Sequence, residues 1–289
     1  MCPCKVDLLI PPRTYMSDVL LIEEMPCESG DGTIAMVTIN RPDKLNALNQ
    51  EVMVEIKEMC RWAEENDDIR CIVITGAKPN PPPEGKRAKP NAFVAGADIT
   101  EFVGKNSDDI RSLFKDNGWD AIWNLSKPTI AMVDGFALGG GCEIACSCDI
   151  RIASTRAVFG TPEIKLGLIP GGGGTQRLVN IVGLGKTMEM VMSGETISAD
   201  EALAIGLANH VVSPEELEKR TMGIAQSIAS KSMSTLKVAK KTIRSALENG
   251  ISEGVAIEAE AFADLFDTED KEIGVQAFLS RENPEWKHR

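Results

Sequence analysis

Two glutamates and two clusters of glycine between residues 137 and 174 are the residues of this chain best suited to chemistry. Residues 139–141 are glycines just before Glu143, and residues 171–174 are glycines that follow Glu163. Glycine lets a backbone approach a ligand closely or adopt positive φ, at an entropic cost. Carboxylates can transfer protons, and exposed backbone amides can stabilise developing negative charge. The stretch therefore predicts an acid/base site beside exposed amides.

Neither glycine cluster fits a nucleotide-binding motif. A Walker A loop that ended in the Gly-Lys-Thr of residues 185–187 would need a glycine where the chain has Asn180. Two Rossmann patterns fail at their last position, which is Met188 in one and Ile144 in the other. What remains is a strand, three glycines and a helix, whose first N–H groups are unsatisfied and point outward. This arrangement predicts an oxyanion hole, with a tight turn that needs small residues for packing as the alternative.

Histidine chemistry is nearly excluded, because the chain has only two histidines, His210 and His288. The sequence contains no H-E-x-x-H motif. The one G-x-S-x-G, at residues 250–254, lies between two helical patterns, where we expect Ser252 to cap a helix rather than act as a nucleophile. We therefore expect neither a histidine-based triad nor a metal site.

The composition is that of a soluble globular protein, with 289 residues of which 43% are hydrophobic and 26% charged. A net charge of −12 argues against binding to nucleic acid or to an anionic membrane surface. Residues 129–148 are apolar, yet Asp134, Glu143 and three glycines disfavour a membrane span. No secretory signal opens the sequence, and we expect a cytoplasmic protein.

The eight cysteines are expected to be reduced thiols, at Cys2, Cys4, Cys27, Cys60, Cys71, Cys142, Cys146 and Cys148. The last three contain no C-x2-C pair and have no histidine nearby, so we interpret them as core packing rather than as a zinc site.

Residues 77–91, AKPNPPPEGKRAKPN, are expected to form an exposed loop, because their prolines forbid regular structure. The segment carries Lys78, Lys86, Arg87 and Lys89 on an acidic chain. It is either a solvated loop or a basic rim for a phosphate-bearing ligand.

Strands alternate with helices over about the first two hundred residues, which predicts an α/β fold with a layered core. Within this part, residues 107–125 are expected to form one helix and residues 129–137 one strand. Consecutive amphipathic helices follow, and they predict a helical subdomain or an oligomerisation layer. We expect a flexible tail over residues 1–17, a core over 18–210 and a helical oligomerisation region over 211–289.

Four segments, in order and spacing, resemble the crotonase superfamily of enoyl-CoA hydratases and isomerases. They are FVAGADI at 93–99, DGFALGGGCE at 134–143, FGTPE at 159–163 and GLIPG at 167–171. The similarity covers roughly residues 18–289, including DKEIGVQAF at 270–278. Such a combination is far more specific than any single glycine motif.

The resemblance implies a β/β/α spiral core with a C-terminal helical trimerisation region, in a homotrimer or a homohexamer built as a dimer of trimers. It implies an acyl-CoA thioester substrate and no separate cofactor, since CoA is part of the substrate. The oxyanion-hole N–H groups would be those of Ala97 and Gly140, and the catalytic carboxylates would be Glu143 and Glu163. Further contacts to the substrate or its CoA would come from Lys44, Ala95, Gly96, Asp98, Ile99, Gly171, Phe266 and Lys287.

One position, Thr100, departs from this family pattern. Thr100 stands where the family often has a lysine that meets the CoA phosphates, so Lys44 and the basic loop are candidates to replace it. Phe266 and Lys287 would reach the CoA of a neighbouring subunit. We expect the acyl pocket to be lined by residues 101–120.

Two glutamates favour the hydratase branch of the family, which adds water to a 2-enoyl-CoA of the crotonyl-CoA type. Glu143 would accept a proton from the water, and Glu163 would supply a proton to the α-carbon. The same site could dehydrate a 3-hydroxyacyl-CoA such as 3-hydroxypropionyl-CoA. One alternative is an isomerase that shifts a double bond between the 3- and 2-positions with one base and no water. The other is an RNA-binding homologue, against which the net charge of −12 weighs.

Overall fold

The strands of the chain form two sheets in the computed structural model, which describes residues 14–289. They are β1 (Thr14–Met16), β2 (Leu20–Pro26), β3 (Thr33–Ile39), β4 (Ile69–Gly76), β5 (Ala92–Val94), β6 (Thr129–Val133), β7 (Phe136–Leu138), β8 (Ile150–Ser154), β9 (Val158–Gly160), β10 (Thr196–Ser198) and β11 (His210–Val212). The larger sheet has the order β1-β2-β3-β4-β6-β8-β11, and the smaller has the order β10-β9-β7-β5. Pairing is antiparallel between β1, β2 and β3 and between β9 and β10, and parallel elsewhere.

Helices connect the strands and make up most of the C-terminal third of the chain. They are α1 (Gln50–Glu65), α2 (Ser107–Phe114), α3 (Gly118–Asn124), α4 (Gly140–Ser147), α5 (Gly174–Val182), α6 (Leu184–Ser193), α7 (Ala199–Ala204), α8 (Leu217–Ala229), α9 (Met233–Ser245), α10 (Ile251–Asp264) and α11 (Glu269–Ser280). Short 3-10 turns at Pro42–Lys44, Ile99–Phe102, Pro162–Leu166 and Leu265–Asp267 complete the described elements.

Three successive turns of chain repeat one pattern. Strands β4, β6 and β8 lie side by side in the larger sheet, and the strand that follows each of them, β5, β7 or β9, lies in the smaller sheet. Helical segments follow each pair: α2 and α3 in the first turn, α4 in the second, and the Pro162–Leu166 turn with α5 in the third. The predicted β/β/α spiral is therefore confirmed, as are helices at the C-terminal end of the chain.

Strand β4 shows why the larger sheet lies in the interior. Its sequence IRCIVITG is an unbroken buried run until the last residue. Ile72 and Ile74 point into one hydrophobic core, together with residues of α1, whereas Cys71 and Val73 point into a second core, together with residues of α8. Both faces of the strand are thus covered, and each fully buried aliphatic side chain contributes about 1.5–3 kcal/mol of hydrophobic stabilisation.

The structure corrects two predicted elements, at residues 107–125 and 129–137. The single helix predicted for residues 107–125 is two helices, because the Asn117 side chain accepts a hydrogen bond from the Asp120 N–H and caps a new helix, α3. The single strand predicted for residues 129–137 is β6 and β7, which belong to different sheets. Gly135, with φ +83°, makes the turn between them, and a side chain there would collide with the Asn91 carbonyl.

Other differences concern the ends of elements. The predicted tail over residues 1–17 ends too late, since Thr14–Met16 pairs with β2 as strand β1; the rest of it, with Cys2 and Cys4, lies largely outside the described residues. Ser252 is not an N-cap, because α10 begins at Ile251 after Gly250. The short strands β10 and β11 were not predicted. In residues 14–289 no helix is both long enough and apolar enough to cross a bilayer.

Candidate active site

The first glycine cluster brings Glu143 to the centre of the molecule. Strand β7 ends, Gly139 turns the chain with φ +51°, and α4 begins at Gly140. A side chain at Gly141 would place its Cβ 2.1 Å from the Val94 carbonyl oxygen, so only glycine allows α4 to lie this close to β5. All eight residues of α4 are buried, and Glu143 lies in its first turn.

The second glycine cluster holds the Glu143 carboxylate. Oε1 accepts hydrogen bonds from the backbone nitrogens of Gly172 at 2.7 Å and Gly174 at 2.8 Å. A Cβ at Gly172 would lie 2.4 Å from the Trp119 ring, so the loop needs glycine to pack here. Among the described residues no group bonds to the other oxygen, Oε2, and Glu143 faces a cavity.

Glu163 lies in the Pro162–Leu166 turn and faces the same cavity, but the hydrogen bonding of its carboxylate differs from that of Glu143. Its Oε2 is buried and has no hydrogen-bond partner within residues 14–289. Its Oε1 lies 3.0 Å from the position that a Cβ would take at Gly139, which is why the first glycine cluster also leaves room for this carboxylate. A buried, unpartnered oxygen in a cavity is an acceptor or donor left for a ligand.

Burial dominates the electrostatics of both carboxylates. Burial and, to a smaller extent, the nearby negative charge of Glu163 raise the pKa of Glu143 to about 7, against the hydrogen bonds from Gly174 and Gly172. Burial also raises the pKa of Glu163 above its usual value. Both shifts bring proton exchange by these carboxyl groups closer to neutral pH, as general acid and base catalysis requires.

The two predicted oxyanion amides lie on the wall beside these carboxylates. Leu48 forms a parallel bridge to Ala97 in which Gly96 O and Asp98 N bond to Leu48, so the Ala97 N–H points to the opposite side. Ala97 N is 3.9 Å from the position of a Cβ on Gly140. Within residues 14–289 neither the Ala97 N–H nor the Gly140 N–H, the first of α4, donates to another protein group. Two such donors can converge on one oxygen atom.

The cavity has a volume of about 590 Å³ and mostly apolar walls. Its lining combines the residues above with further residues from the segments 95–119 and 162–172: Ala95, Gly96, Ile99, Phe102, Lys105, Ile110, Phe114, Trp119, Pro162, Lys165, Leu166, Leu168, Ile169 and Gly171. A concave, largely apolar site with a few convergent polar groups is typical of a pocket for a small organic molecule.

Half of the eight predicted contact residues line this cavity, namely Ala95, Gly96, Ile99 and Gly171. Asp98 does not, because its carboxylate is paired with Arg41 at 3.0 Å and accepts the Thr100 hydroxyl hydrogen bond. The Arg41 and Thr100 contacts lower the pKa of Asp98, which fits a structural ion pair.

Three further candidates lie away from the cavity of this chain. Lys44 is exposed at the end of the Pro42–Lys44 turn. Phe266 is 55% exposed, and the Lys271 ammonium group lies 5.4 Å from the centre of its ring. The backbone nitrogen of Lys287 bonds to Asp270 at 2.6 Å. The role predicted for Phe266 and Lys287 concerns the CoA of a neighbouring subunit, and the role predicted for Lys44 concerns the CoA phosphates, so all three stay predictions.

Sequence reasoning missed several side chains around the carboxylates. Phe114 and Trp119 stack with ring centroids 5.8 Å apart, and the Trp119 indole N–H donates to the Gly140 carbonyl at 3.0 Å. Both lie in the segment expected to line an acyl pocket, yet nothing in that segment singled them out. Arg177 donates a hydrogen bond to the Gly172 carbonyl at 2.5 Å. Its place in an ordinary helical pattern gave no indication of a role near the site.

The thiols of Cys142, Cys146 and Cys148 are buried in the main hydrophobic core. Within residues 14–289 no group of three or more histidine, cysteine, aspartate or glutamate side chains is arranged to hold a metal ion.

Comparison with known proteins matches residues 29–289 to the family described as enoyl-CoA hydratase/isomerase. The chain is 42% identical over 253 residues to a short-chain-enoyl-CoA hydratase of Clostridium acetobutylicum, which covers 87% of this chain and 93% of that protein. It is 39% identical over 250 residues to a crotonyl-CoA hydratase of Syntrophomonas wolfei, which covers 86% and 92%. The crystal structure of an enoyl-CoA hydratase subunit from Geobacillus kaustophilus superposes with a TM-score of 0.81 at 34% identity, covering 97% of this chain and 99% of that one.

The resemblance to the crotonase superfamily is thus confirmed by the fold, by the family match and by relatives of nearly the same length. The chain is an enzyme of the enoyl-CoA hydratase/isomerase family.

Proposed function

We propose that this enzyme catalyses the reversible addition of water to a short-chain 2-enoyl-CoA of the crotonyl-CoA type. The observation that carries the proposal is the pair of buried carboxylates, Glu143 and Glu163, facing one cavity beside two backbone N–H groups that have no partner within residues 14–289. An isomerase needs one base, whereas adding water needs a group that takes a proton from the water and a group that delivers one to carbon.

The thioester carbonyl of the substrate would lie against Ala97 and Gly140. Their N–H groups would stabilise the negative charge that develops on the carbonyl oxygen when the β-carbon is attacked. Because both donors are fixed by backbone structure, they need no reorganisation during the reaction. Polarising the thioester makes the β-carbon electrophilic, and the addition of hydroxyl there gives an enolate whose α-carbon accepts the proton.

Water would be held between the two carboxylates. Glu143 accepts a proton from the water through Oε2 as the hydroxyl adds to the β-carbon, and Glu163 delivers a proton to the α-carbon. One water is consumed, and its hydroxyl and a proton end on adjacent carbons. The raised pKa of each carboxyl group places its proton exchange closer to neutral pH, where such transfers are most effective.

A short acyl group fits the aromatic wall of the cavity. The stacked rings of Phe114 and Trp119 stand beside Gly171 and Gly172, and a Cβ at Gly171 would lie 2.8 Å from the Phe114 ring. The names of relatives at about 40% identity, a short-chain-enoyl-CoA hydratase and a crotonyl-CoA hydratase, support the same choice.

The same groups serve the reverse reaction, because a reversible step uses one transition state. Dehydration of a 3-hydroxyacyl-CoA such as 3-hydroxypropionyl-CoA would need Glu163 to remove the α-proton and Glu143 to protonate the departing hydroxyl. Incubation of 3-hydroxypropionyl-CoA with the enzyme, followed by mass spectrometry, would show loss of one water if this substrate is used.

We further propose that basic residues of the 77–91 loop bind the phosphates of CoA. Lys86, Arg87 and Lys89 are exposed, and Lys89 reaches Asp43 beside Lys44. Replacing these three loop residues by glutamine should raise KM for the acyl-CoA with little change in kcat, and more so at low salt. Lys219→Gln, at a residue 81% exposed on α8, is the matched control and should change neither. Equal KM values for the triple variant and wild type would refute the proposal.

The enzyme is also proposed to form a homotrimer or a dimer of trimers through its C-terminal helices. Ile251, Phe278 and Leu279 are 88%, 83% and 71% exposed in the single chain, which is unusual for large apolar side chains. Sedimentation equilibrium would test this proposal, and a monomer at micromolar concentration would contradict it.

The decisive experiment follows loss of the enoyl-thioester absorbance for wild type, Glu143→Gln and Glu163→Gln. Each variant should lose about 10²–10⁴-fold in kcat, since each removes one proton transfer. Glu65→Gln, on the exposed side of α1, is the control and should keep full activity. Full activity in either site variant would refute the two-acid mechanism.

A separate measurement in heavy-oxygen water distinguishes a hydratase from an isomerase. A hydratase incorporates the label into the 3-hydroxyacyl product, whereas double-bond migration in a 3-enoyl-CoA incorporates none. Unlabelled product with full turnover would favour the isomerase.

A further inference from the structure

A buried arginine joins the loop that holds Glu143 to the back of the site. The Arg177 side chain, 9% exposed, donates from Nη1 to the Gly172 carbonyl at 2.5 Å and from Nη2 to Asp120 Oδ1 at 2.8 Å. Gly172 is the residue whose own N–H bonds to Glu143 Oε1. One glycine therefore links the guanidinium group and the carboxylate through its two backbone polar groups.

The loop conformation depends on this contact. Gly173 has φ +95°, and a Cβ there would lie 2.3 Å from Arg177 Nη1, so the guanidinium group fills the space beneath the loop. The next residue, Gly174, gives the second N–H to Oε1. Helix α5 begins at Gly174 and carries Arg177 in its first turn. The same helix therefore fixes the Gly174 N–H directly and the Gly172 N–H through Arg177.

Arg177 reaches the loop from outside the catalytic cavity. It lines a separate cavity of about 490 Å³ between α9 and the spiral, and its guanidinium carbon lies 4.9 Å from the centre of the Trp123 ring. It is not among the residues that line the cavity of Glu143 and Glu163. Arg177 thus touches no substrate and can act only through the glycine loop and its charge.

Within residues 14–289 few charged or titratable groups surround Glu143. Glu163, Lys105 and Lys165 line its cavity, Arg177 lies behind the loop with Asp120 beyond it, and the thiols of Cys142 and Cys146 lie on α4. Lys165 is paired with Glu195 at 3.0 Å, whereas Arg177 is the cation in contact with the loop that holds Glu143. In a low-dielectric site an opposite charge favours the ionised carboxylate.

We propose that Arg177 is a positioning residue for Glu143, which holds the 171–174 loop so that both N–H groups bind Oε1 and leave Oε2 free for the reacting water. The proposal deepens the hydratase mechanism proposed above and rests on it for the role of Oε2.

The test compares the pH dependence of kcat for wild type, Arg177→Gln and Arg177→Lys. The base must be ionised, so activity rises with pH through the pKa of Glu143. Arg177→Gln removes the cation and loosens the Gly172 and Gly174 N–H donors. The rise of kcat with pH on the acidic side, here called the acid limb, should therefore move to higher pH by about one unit or more. Arg177→Gln should also lower kcat with little change in KM. Arg177→Lys keeps the positive charge but cannot make both hydrogen bonds of the guanidinium group, so its acid limb should lie between those of wild type and Arg177→Gln.

Arg151→Gln is the matched control. Arg151 is also buried and also bonds to backbone carbonyls, those of Leu207 and Cys148, but makes no contact with the glycine loop. It should lower stability and leave the acid limb at the wild-type pH. A wild-type acid limb in folded Arg177→Gln, or an equal shift in Arg151→Gln, would overturn the proposal. If Arg177→Gln does not fold, wild-type kcat and acid limb in Arg177→Lys would overturn it.

A readout without turnover separates this proposal from the proposed function. The difference in unfolding free energy between each background and its Glu143→Gln partner, measured from pH 5 to 8, reports the pKa of Glu143 in the folded state. This pKa should be higher in Arg177→Lys than in wild type. If no enoyl-CoA is hydrated by wild type, the proposed function fails while the positioning by Arg177 is still decided.

Discussion

Two buried carboxylates, Glu143 in the spiral and Asp270 in the C-terminal helices, meet opposite surroundings. Both are almost completely buried, with exposures of 2% and 1%. Asp270 accepts hydrogen bonds on both oxygens from four donors at the start of α9 and in the C-terminal segment: Ser232 Oγ at 2.5 Å, Ser234 Oγ at 3.3 Å, Lys287 N at 2.6 Å and His288 N at 3.1 Å. It joins three segments of the chain.

Glu143 accepts two hydrogen bonds, both on Oε1, and turns Oε2 to a cavity. A buried charge is costly unless it is paired or hydrogen-bonded, so the four donors of Asp270 make a stable structural anion. Glu143 is only half satisfied, and its raised pKa reflects that cost. Because both groups are almost equally buried, the distribution of donors over the two oxygens, rather than burial, separates the carboxylate that holds the fold from the one that faces the reacting water.

The largest expected effect comes from removing each carboxylate and measuring stability. Asp270→Ala leaves four donors without an acceptor and should lower the unfolding free energy by about 3 kcal/mol or more. Glu143→Gln keeps an acceptor for Gly172 and Gly174 and should leave stability at pH 8 unchanged or raise it. Urea unfolding followed by circular dichroism measures both.

The effects of the two substitutions on kcat should have the opposite order from their effects on stability. Folded Asp270→Ala should keep the wild-type kcat, since Asp270 lies outside the cavity, whereas Glu143→Gln should not. Asp270→Asn, which keeps the shape, should lose less stability than the alanine variant. A strongly destabilised Glu143→Gln with wild-type kcat would reverse the comparison and contradict it.

The next effect is the pH dependence of stability that Glu143 causes. Its pKa is about 7 in the folded enzyme and 4.5 for an ordinary glutamate. Because the folded state binds the proton more tightly, the stability from this group is full below pH 4.5 and falls as pH rises to about 7. The loss amounts to about 3 kcal/mol at most. Wild type should therefore lose stability relative to Glu143→Gln between pH 5 and 7 and no further above it.

Two comparisons control for the titration of groups other than Glu143. An unfolding free energy that falls equally in wild type and in Glu143→Gln over pH 5–7 would assign the loss to other groups. Asp270→Asn should keep the wild-type slope, since Glu143 is unchanged in that variant.

Much of the site could be predicted from sequence because its motifs are local. Glu143 and Gly140 belong to one strand–glycine–helix segment, and Ala97 and Glu163 belong to similar short motifs. The alternation of strands and helices predicted only a layered α/β fold, whereas the spiral and the meeting of these four residues were implied by the resemblance to the crotonase superfamily. The structure brings the segments to one cavity. The resemblance could be recognised because each motif is a short, continuous stretch of the sequence.

The rest depended on contacts between distant segments. Ser232 and Asp270 are 38 residues apart, and their hydrogen bond leaves no periodic pattern in the sequence. The break between α2 and α3 needed the cap that Asn117 provides, which competes with an otherwise helical pattern. Arg177 resembled any helical arginine, because its role comes from the loop that folds over it.

The smallest effect tests whether the donors of Asp270 act as separate contributions. Ser232 is buried, bonds to Asp270 at 2.5 Å and also caps α9 through the Thr235 N–H, whereas Ser234 is partly exposed and bonds at 3.3 Å. Ser234→Ala should lower the unfolding free energy by at most about 1 kcal/mol, because three donors remain on Asp270. Ser232→Ala should cost about 2 kcal/mol, since it removes a short hydrogen bond to a charged group and a helix cap together. Urea unfolding of both variants in parallel measures the two losses, and both should keep the wild-type kcat. A larger loss for Ser234→Ala than for Ser232→Ala would show that Asp270 is held as a single cooperative network rather than by additive hydrogen bonds.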